Sequence, residues 1–472
     1  MDNQASNAET PHSATPLFTD VARELAEKIS SKQAIIGVAG LGYVGLPLAV
    51  EFAGRGFRTL GIDLNPERAR RIAAEDHPIE GASGEILHRV IREGMLEVRT
   101  DFSRAGEADV VFICVPTPIT TAKNPEMGHI ESAASALGQR LRQGQLIVLK
   151  STTYPGTTEE LVQPLLEQRS KEAVGADGFI AGRDYFLAFS PERIDPGNTQ
   201  FTTANTPVVV GGVTRTCTQL AVLAMNQVCE QVHPVSSPRV AEMEKLLENI
   251  FRSVNIALLN ELAQLCDRMG DISIWEVVEA AATKPFGFMP FFPGPGLGGH
   301  CIPVDPHYLS WLARRHDFET AFITLSARIN ETMPHYVTEA IMRAISGQPV
   351  QLSDARVLVL GVAFKRNVAD ARHSPALRIM ELLSRRGVTR LAYSDPYVPE
   401  IEVPGAGLRL TSVALAEETL QSFDVVVIVT DHSAFPYADI AEQARCIVDT
   451  RNALKGIVCD RDKIMLLGGG DF

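Results

Sequence analysis

No apolar run in this sequence exceeds a strand in length, and "VLVLGVAF" is among the longest. A membrane-spanning helix needs about 20 apolar residues, so no membrane insertion is expected. The first 33 residues carry Asp2, Glu9 and Asp20 and lack the apolar stretch of a secretory signal. Cysteine is sparse and scattered: seven residues with no pairing rhythm argue against a disulfide framework and for reduced thiols in the cytoplasm. No second cysteine–histidine cluster completes a metal-ligand spacing, so no metal is expected. Positive charge is short as well, with 44 Lys and Arg against 57 Asp and Glu and a formal net charge of −13. That balance argues against a nucleic-acid partner. It also requires an anionic small substrate to be held by local Lys and Arg groups, since the overall field repels it.

What is present is an ordinary globular composition, 45% hydrophobic and 21% charged over 472 residues. That length implies two or three domains. Residues 1–16 read as a disordered tail, whereas "FTDVARELAEKIS" sets Val21, Leu25 and Ile29 on one face of a short docked helix. From Gln33 to Gly212, "AIIGVAG", "FRTLGIDL", "ADVVFICVP", "QLIVLKST", "YFLAFSPER" and "TPVVVGG" read as apolar strands separated by helices. Such a pattern predicts a parallel sheet covered on both faces. From Ser237 to Met269 there is no glycine and one proline, Pro238. Ser237 can cap a long helix there and Pro238 suits its first turn, giving a connector that also packs against a partner subunit. A second strand–helix series starts at "ARVLVLGVAFK" and runs through "GVTRLAYSDP", "FDVVVIVTD" and "CIVDTRN". The expected fold is α/β, with two Rossmann-like doubly wound domains joined by a long central helix. The expected bounds are a tail and short helix to residue 33, a first domain over 34–213, a central helical domain over 214–335 and a last domain over 336–472.

Four stretches carry chemistry. "VAGLGYVGLP" places Gly40, Gly42 and Gly45 between a strand and a helix, the spacing of a dinucleotide-binding turn, and Asp63 ends the next strand where a ribose 2′-hydroxyl would donate. An acid there favours NAD over NADP, with Arg58 and Arg68 nearby; the plainer alternative is a structural glycine turn. On the long helix, Lys245, Asn249, Arg252, Ser253 and Asn260 form one stripe, or else a solvated face. Glu192 in "SPERIDPG" and Thr152 in "KSTTYPG" each follow a strand end, the ligand edge of a parallel sheet; capping would be their ordinary work. Finally, "GPGLGGHCIPVDP" sets Cys301 in a glycine- and proline-rich loop. The alternatives there are a buried thiol or a metal ligand assisted by His300 and His307, but a nucleophilic thiol needs just such access. The last domain lacks a G-x-G-x-x-G, and "FKRNVADAR" offers Lys365 and Arg372 for a diphosphate, with Arg328 and Lys284 next in line.

In order along the chain, "GLGYVGLP", "CVPTP", "KSTTYPGTTEE", "SPERIDPG", "AEMEKLLEN", "GGHCIPVDP", "GVAFKRNVADARHSP" and "SDP" resemble the UDP-glucose/GDP-mannose dehydrogenase family over roughly residues 34–455. The resemblance implies an NAD-dependent enzyme that oxidises a sugar C6 alcohol to a carboxylate in two hydride transfers, and a homodimer or higher homo-oligomer built on the central helix. It implies that Cys301 traps the intermediate aldehyde covalently and that Lys245 and Asn249 stabilise oxyanions. Glu192 and Thr152 would manage proton and water, and Asp305 would orient the loop. It also implies cofactor contacts from Tyr43, Val44, Pro116, Thr117 and Thr152. Substrate contacts would come from Glu192, Arg193, Lys245, Asn249, Arg252, Lys284, Phe292, Gly298, Arg328, Phe364, Lys365 and Arg372. Two departures stand out: Pro196 where many UDP-glucose members have a second glutamate, and Val304 where they have lysine. The loop wording is most similar to the branch acting on UDP-N-acetylglucosamine, with UDP-N-acetylmannosamine or UDP-glucose as alternatives and surface polysaccharide as the destination. Phe286, Phe288, Phe291 and Phe292 are the side chains expected to receive an acetyl methyl. From another class, a non-catalytic nucleotide-sugar-binding regulator would keep the fold without the reaction.

Overall fold

The computed structural model describes residues 19–76, 84–120, 122–175, 178–193, 198, 200–299, 302–470 and 472. The first sheet holds β1 (Ile36–Ala39), β2 (Thr59–Ile62), β3 (Leu96–Arg99), β4 (Val110–Ile113), β5 (Leu146–Leu149), β6 (Phe186–Phe189), β7 (Val208–Gly212) and β8 (Val232–Pro234), in the order β3-β2-β1-β4-β5-β6-β7-β8. β1, β2, β4, β5 and β6 are buried along their whole length, which is why they read as unbroken apolar runs. Strand order reverses between β1 and β4, and a ligand crevice forms at such a switch point.

Two features depart from the sequence reading. β7 runs antiparallel to β6, so the sheet is not parallel throughout. The sheet also continues past residue 213, because β8 pairs with β7 and the helix Arg215–Met225 packs on this same core. The short helix Asp20–Ser30 forms as expected. It buries Ala22, Leu25 and Ile29 against the helix Arg215–Met225 and the sheet, and Lys28 reaches Asp109 at 3.5 Å.

The central helix spans Pro238–Met269, 32 residues. Ser237 accepts from the Val240 amide, Pro238 occupies the first turn, and Gly270 ends the helix in the left-handed region at φ 89°, a conformation that costs glycine nothing. A second long helix, Ala321–Ser346, packs along it through Ser326 on Ser253 and Asn330 on Asn260. It leads into the second sheet, β9 (Arg356–Leu360), β10 (Arg390–Ser394), β13 (Val425–Ile428), β14 (Ile447–Asp449) and β15 (Ile464–Leu466), ordered β10-β9-β13-β14-β15 and parallel throughout. A hairpin of β11 (Glu400–Val403) and β12 (Leu408–Thr411) stands beside it. The end of the chain is tied back to the central helical region: Trp275 Nε1 donates to the Leu467 carbonyl at 2.7 Å, and Asp267 accepts from the amides of Gly468 and Gly470.

Candidate active site

The carboxyl ends of the parallel strands of both sheets face one cleft of about 2130 Å³, room for two nucleotide-sized ligands rather than one. Its first wall is the turn after β1. Gly40 is left-handed at φ 93°, and a Cβ on it would lie 2.6 Å from the Cys114 carbonyl oxygen; one on Gly45 would lie 1.8 Å from the Gly40 oxygen. Both must therefore be glycine for the turn to close. A Cβ on Gly42, by contrast, would meet nothing within 4 Å and would enter the cleft. This is the division of labour a dinucleotide turn requires, two glycines for packing and one for the approach of a pyrophosphate to the helix Gly45–Gly54. Asp63, 5% exposed, accepts from the amides of Leu41 and Asn65 at 2.9 Å each, and Arg68 Nη1 lies 3.0 Å away. Arg58 does not line the cleft, whereas Arg68 and Arg71 do, and of these Arg68 contacts Asp63.

The floor is built by strand ends and the central helix. Thr152 lines the cleft after β5, and Pro116 and Thr117 after β4. Tyr308 OH donates to the Thr117 carbonyl and fixes that segment. Lys245 is buried and faces the cleft. Asn249 is fully buried and does not line it: Nδ2 donates to Asp305 Oδ2 and Oδ1 accepts from Arg252 Nη2. In this geometry Asn249 orients Asp305. Asp305 opens the helix Asp305–Arg314 and is 3% exposed. Burial pushes its carboxyl up to about 7, against the pull of Lys245, Asn249 and Arg252.

The far wall belongs to the second sheet. Phe364, Lys365 and Arg366 follow β9 and line the cleft. The glycine loop is flattened onto them, since a Cβ on Gly298 would lie 2.7 Å from Phe364 Cβ and one on Gly299 2.9 Å from its ring. Arg372 is held by Asp370, and its guanidinium lies 4.8 Å over the ring of Tyr43. That contact joins the dinucleotide turn to the second domain, so Arg372 lies on the cofactor side rather than apart from it.

Of the expected site residues, Gly40, Gly42, Tyr43, Val44, Asp63, Pro116, Thr117, Thr152, Glu192, Arg193, Lys245, Arg252, Phe292, Gly298, Asp305, Phe364, Lys365 and Arg372 line this one cleft. Cys301, His300 and Pro196 lie outside the described residues, although Gly299 and Ile302 on either side of the cysteine line it. Arg193 is engaged by Glu244 and Glu248 of the central helix, 2.8 Å to the latter. Lys284 and Arg328 are not brought to the cleft. Lys284 lies over the exposed ring of Phe286, and Arg328 is on the solvent side of a helix whose Ser326 and Asn330 face inward. Phe291 and Phe292 line the cleft with Met289 and Phe251, but Phe286 and Phe288 do not.

Three groups were missed. Lys150, 1% exposed, directly follows β5 and lies 3.4 Å from Glu192 Oε2. Arg451 lines the cleft after β14. A charged residue closing an apolar strand of a parallel sheet is the signal that would have found both. Glu242, fully buried, accepts from the Gly156 amide at 2.6 Å and from Thr158 N and Oγ1 at 2.9 and 2.7 Å, tying the Thr152 segment to the central helix. Nothing in its helical spacing distinguishes it from a surface glutamate.

Comparisons with known proteins agree with this geometry. Three family models match in order: the UDP-glucose/GDP-mannose dehydrogenase family NAD binding domain over residues 34–232, its central domain over 239–332 and its UDP binding domain over 358–456. The chain is 34% identical over 423 residues to an NDP-N-acetyl-D-galactosaminuronic acid dehydrogenase of Ralstonia solanacearum, covering 88% of this chain and 95% of that one. It is 34% identical over 426 residues to a UDP-N-acetyl-D-mannosamine dehydrogenase of Pyrococcus horikoshii, covering 89% and 96%. A solved structure of a UDP-D-ManNAc dehydrogenase from Pyrococcus horikoshii superposes with a TM-score of 0.81 at 31% identity, covering 93% of this chain and all of that one.

Proposed function

The chain belongs to the UDP-glucose/GDP-mannose dehydrogenase family, and from that premise we propose that this NAD-dependent enzyme oxidises C6 of a UDP-N-acetylhexosamine from alcohol to carboxylate. The observation that carries the reading is the convergence of Lys245, Asp305 and Glu192 on one cleft between a dinucleotide turn and the Lys365 turn. The turn Gly40–Gly45 and Asp63 would hold NAD, two molecules in succession, each of which would accept one hydride.

The protein's own groups divide the rest. The Cys301 thiolate attacks the aldehyde to form a thiohemiacetal, whose oxidation leaves a thioester for water to hydrolyse. Lys245, a buried cation at the cleft, stabilises the oxygen that gains charge. Asp305, poised near neutrality and oriented by Asn249, takes the proton from thiol or water. Glu192 stays beside the Lys150 ammonium and serves water activation alone, with Pro196 in place of a second glutamate.

For the sugar, Phe251, Met289, Phe291 and Phe292 give the cleft an apolar corner. Burying one acetyl methyl and its neighbours there is worth about 1–2 kcal/mol, roughly 5–30-fold in selectivity. The names of the relatives support a 2-acetamido sugar as a class. They favour UDP-N-acetylmannosamine, or a galacto-configured sugar, over the UDP-N-acetylglucosamine suggested by the loop wording. The product would be a uronic acid donor for surface polysaccharide. The test is kcat/KM for UDP-N-acetylmannosamine, UDP-N-acetylglucosamine, UDP-N-acetylgalactosamine and UDP-glucose, with NADH counted against uronate. A win for UDP-glucose removes the acetamido assignment, and one NADH per product removes the four-electron reaction.

The central helix leaves Val240, Met243, Leu247, Phe251, Leu258, Leu265 and Met269 exposed along one stripe, a surface that supports pairing with a second copy. Leu258→Glu should then shift the mass in multi-angle light scattering from dimer or higher to monomer. The free cysteines, five of six of them buried among the described residues, support a cytoplasmic location.

A further inference from the structure

The second α/β domain contains a fully buried acid–imidazole pair that no step above uses. Asp395 follows β10, and His432 follows β13; both side chains have no exposed surface. Asp395 Oδ2 accepts from the amides of Val362 and Ala363 at 2.7 and 3.0 Å, while Oδ1 accepts from Tyr397 and Val398 at 2.8 and 3.1 Å. His432 Nε2 lies 3.0 Å from Asp395 Oδ2. The other ring nitrogen, Nδ1, receives the amide of Asn367 at 2.9 Å. A backbone N–H can only donate, so Nδ1 carries no proton and the ring's single proton sits on Nε2, donated to the carboxylate.

The consequence lies in what is held between those two anchors. Asp395 fixes residues 362 and 363, His432 fixes residue 367, and the three residues in between are Phe364, Lys365 and Arg366 of the cleft wall. Asn367 adds its own clamp, accepting from the Ser433 amide and donating to Ser433 Oγ, both at 2.9 Å. Its backbone is left-handed at φ 58°, a conformation asparagine tolerates better than most residues. The rings of Tyr397 and Phe435 pack on the imidazole with centroids 5.0 and 5.4 Å away. The pair thus anchors the turn at both ends, with Asn367 and Ser433 closing the second end further.

We infer that Asp395 and His432 are positioning residues for nucleotide-sugar binding: together they hold the Lys365 turn in the shape that grips the diphosphate. A loop that presents cations to a phosphate loses binding when it can spread by about an ångström, and here that spread is blocked from both ends. The inference rests on the proposal that the diphosphate lies at Lys365.

The test uses the full chain and two probes, UDP alone and NAD alone, titrated by calorimetry. His432→Leu should raise the Kd for UDP about tenfold or more and leave that for NAD unchanged. In turnover, the UDP-sugar KM should rise far more than kcat falls. His432→Gln, whose amide can accept from Asn367 and donate to Asp395, should recover UDP affinity to within about threefold of the parent. Unchanged UDP affinity in His432→Leu would overturn the assignment, and so would equal losses for UDP and NAD, which mark damage to the whole fold. If the parent binds UDP but Lys365→Ala binds it equally well, the diphosphate is held elsewhere. Loss of UDP affinity in His432→Leu but not in Lys365→Ala would then overturn the diphosphate proposal separately from the pair.

Discussion

The two α/β domains share a frame and differ in what completes it. In each, a left-handed glycine follows the first strand, Gly40 or Gly361, and an acid after the second strand accepts from the turn's amides, Asp63 or Asp395. In the first domain the remaining partner is Arg68, 39% exposed at the lip of the cleft, and Gly42 leaves the turn open. In the second domain the remaining partner is His432, fully buried, and Ala363 is sealed in the core. One frame therefore becomes a grip for a dinucleotide and the other a rigid bracket for a basic turn.

The proposed chemistry depends on Cys301, which belongs to neither grip, so the largest effect should come from silencing it while both grips survive. Cys301→Ser is expected to lower uronate formation by about a thousandfold or more, with UDP and NAD affinities unchanged in titration. Full turnover by this variant would sink the covalent route.

Next in size is Asp305→Asn. With a carboxyl near 7, the parent's kcat should climb about tenfold per pH unit below that value and level off above it. The variant should lose about a hundredfold at pH 8 and show no such limb. Stability should move the other way. The folded carboxyl holds its proton to higher pH than the unfolded one, so its contribution is complete at low pH and declines as pH rises from about 4 to about 7. Asp305→Asn should accordingly melt higher than the parent at pH 8. An identical limb in the variant would assign the titration to another group.

A smaller, reciprocal pair separates the two grips. Gly42→Val fills the space left for a pyrophosphate and should raise the NAD KM about tenfold while sparing UDP-sugar. Lys365→Ala should do the reverse, raising the UDP-sugar KM about tenfold, the scale of one charge-assisted contact, while sparing NAD. Parallel changes in both constants from either variant would dissolve the division between the domains.

Much of this was legible before the fold was known, for reasons of periodicity. Buried parallel strands must be apolar throughout, so β1, β4, β5, β9 and β13 read directly, and a glycine-free stretch capped by Ser237 and Pro238 can hardly be other than a helix. The short edge strands β3 and β8 carry polar residues and escaped notice. So did the reversal at β7, since direction leaves no mark on an apolar run. In the site, most of the residues expected to touch ligands stood in motifs. The contacts that orient them left no such mark: Asn249 and Glu242 stand in "AEMEKLLEN" and Lys150 in "KSTTYPGTTEE", but no local pattern encodes that Asn249 holds Asp305, or that Lys150, Glu242 and His432 act through contacts 42, 86 and 37 residues away in sequence.

The smallest effect concerns the lip of the first grip. Asp63 should favour NAD, because a 2′-phosphate would meet a carboxylate already committed to two amides. Arg68 tempers that repulsion. Its guanidinium lies 3.0 Å from Oδ2, yet it is exposed, and an exposed partner contributes about 1 kcal/mol or less. Removing it should therefore sharpen an existing preference rather than create one. Arg68→Ala is expected to lower kcat/KM for NADP by about threefold to fivefold and to leave that for NAD within about twofold. The same variant at high salt should differ less from the parent, since an exposed pair is screened. A parent that uses NADP as well as NAD would show that Arg68, and not Asp63, sets cofactor choice, and the likeness between Asp63 and Asp395 would then be one of frame alone.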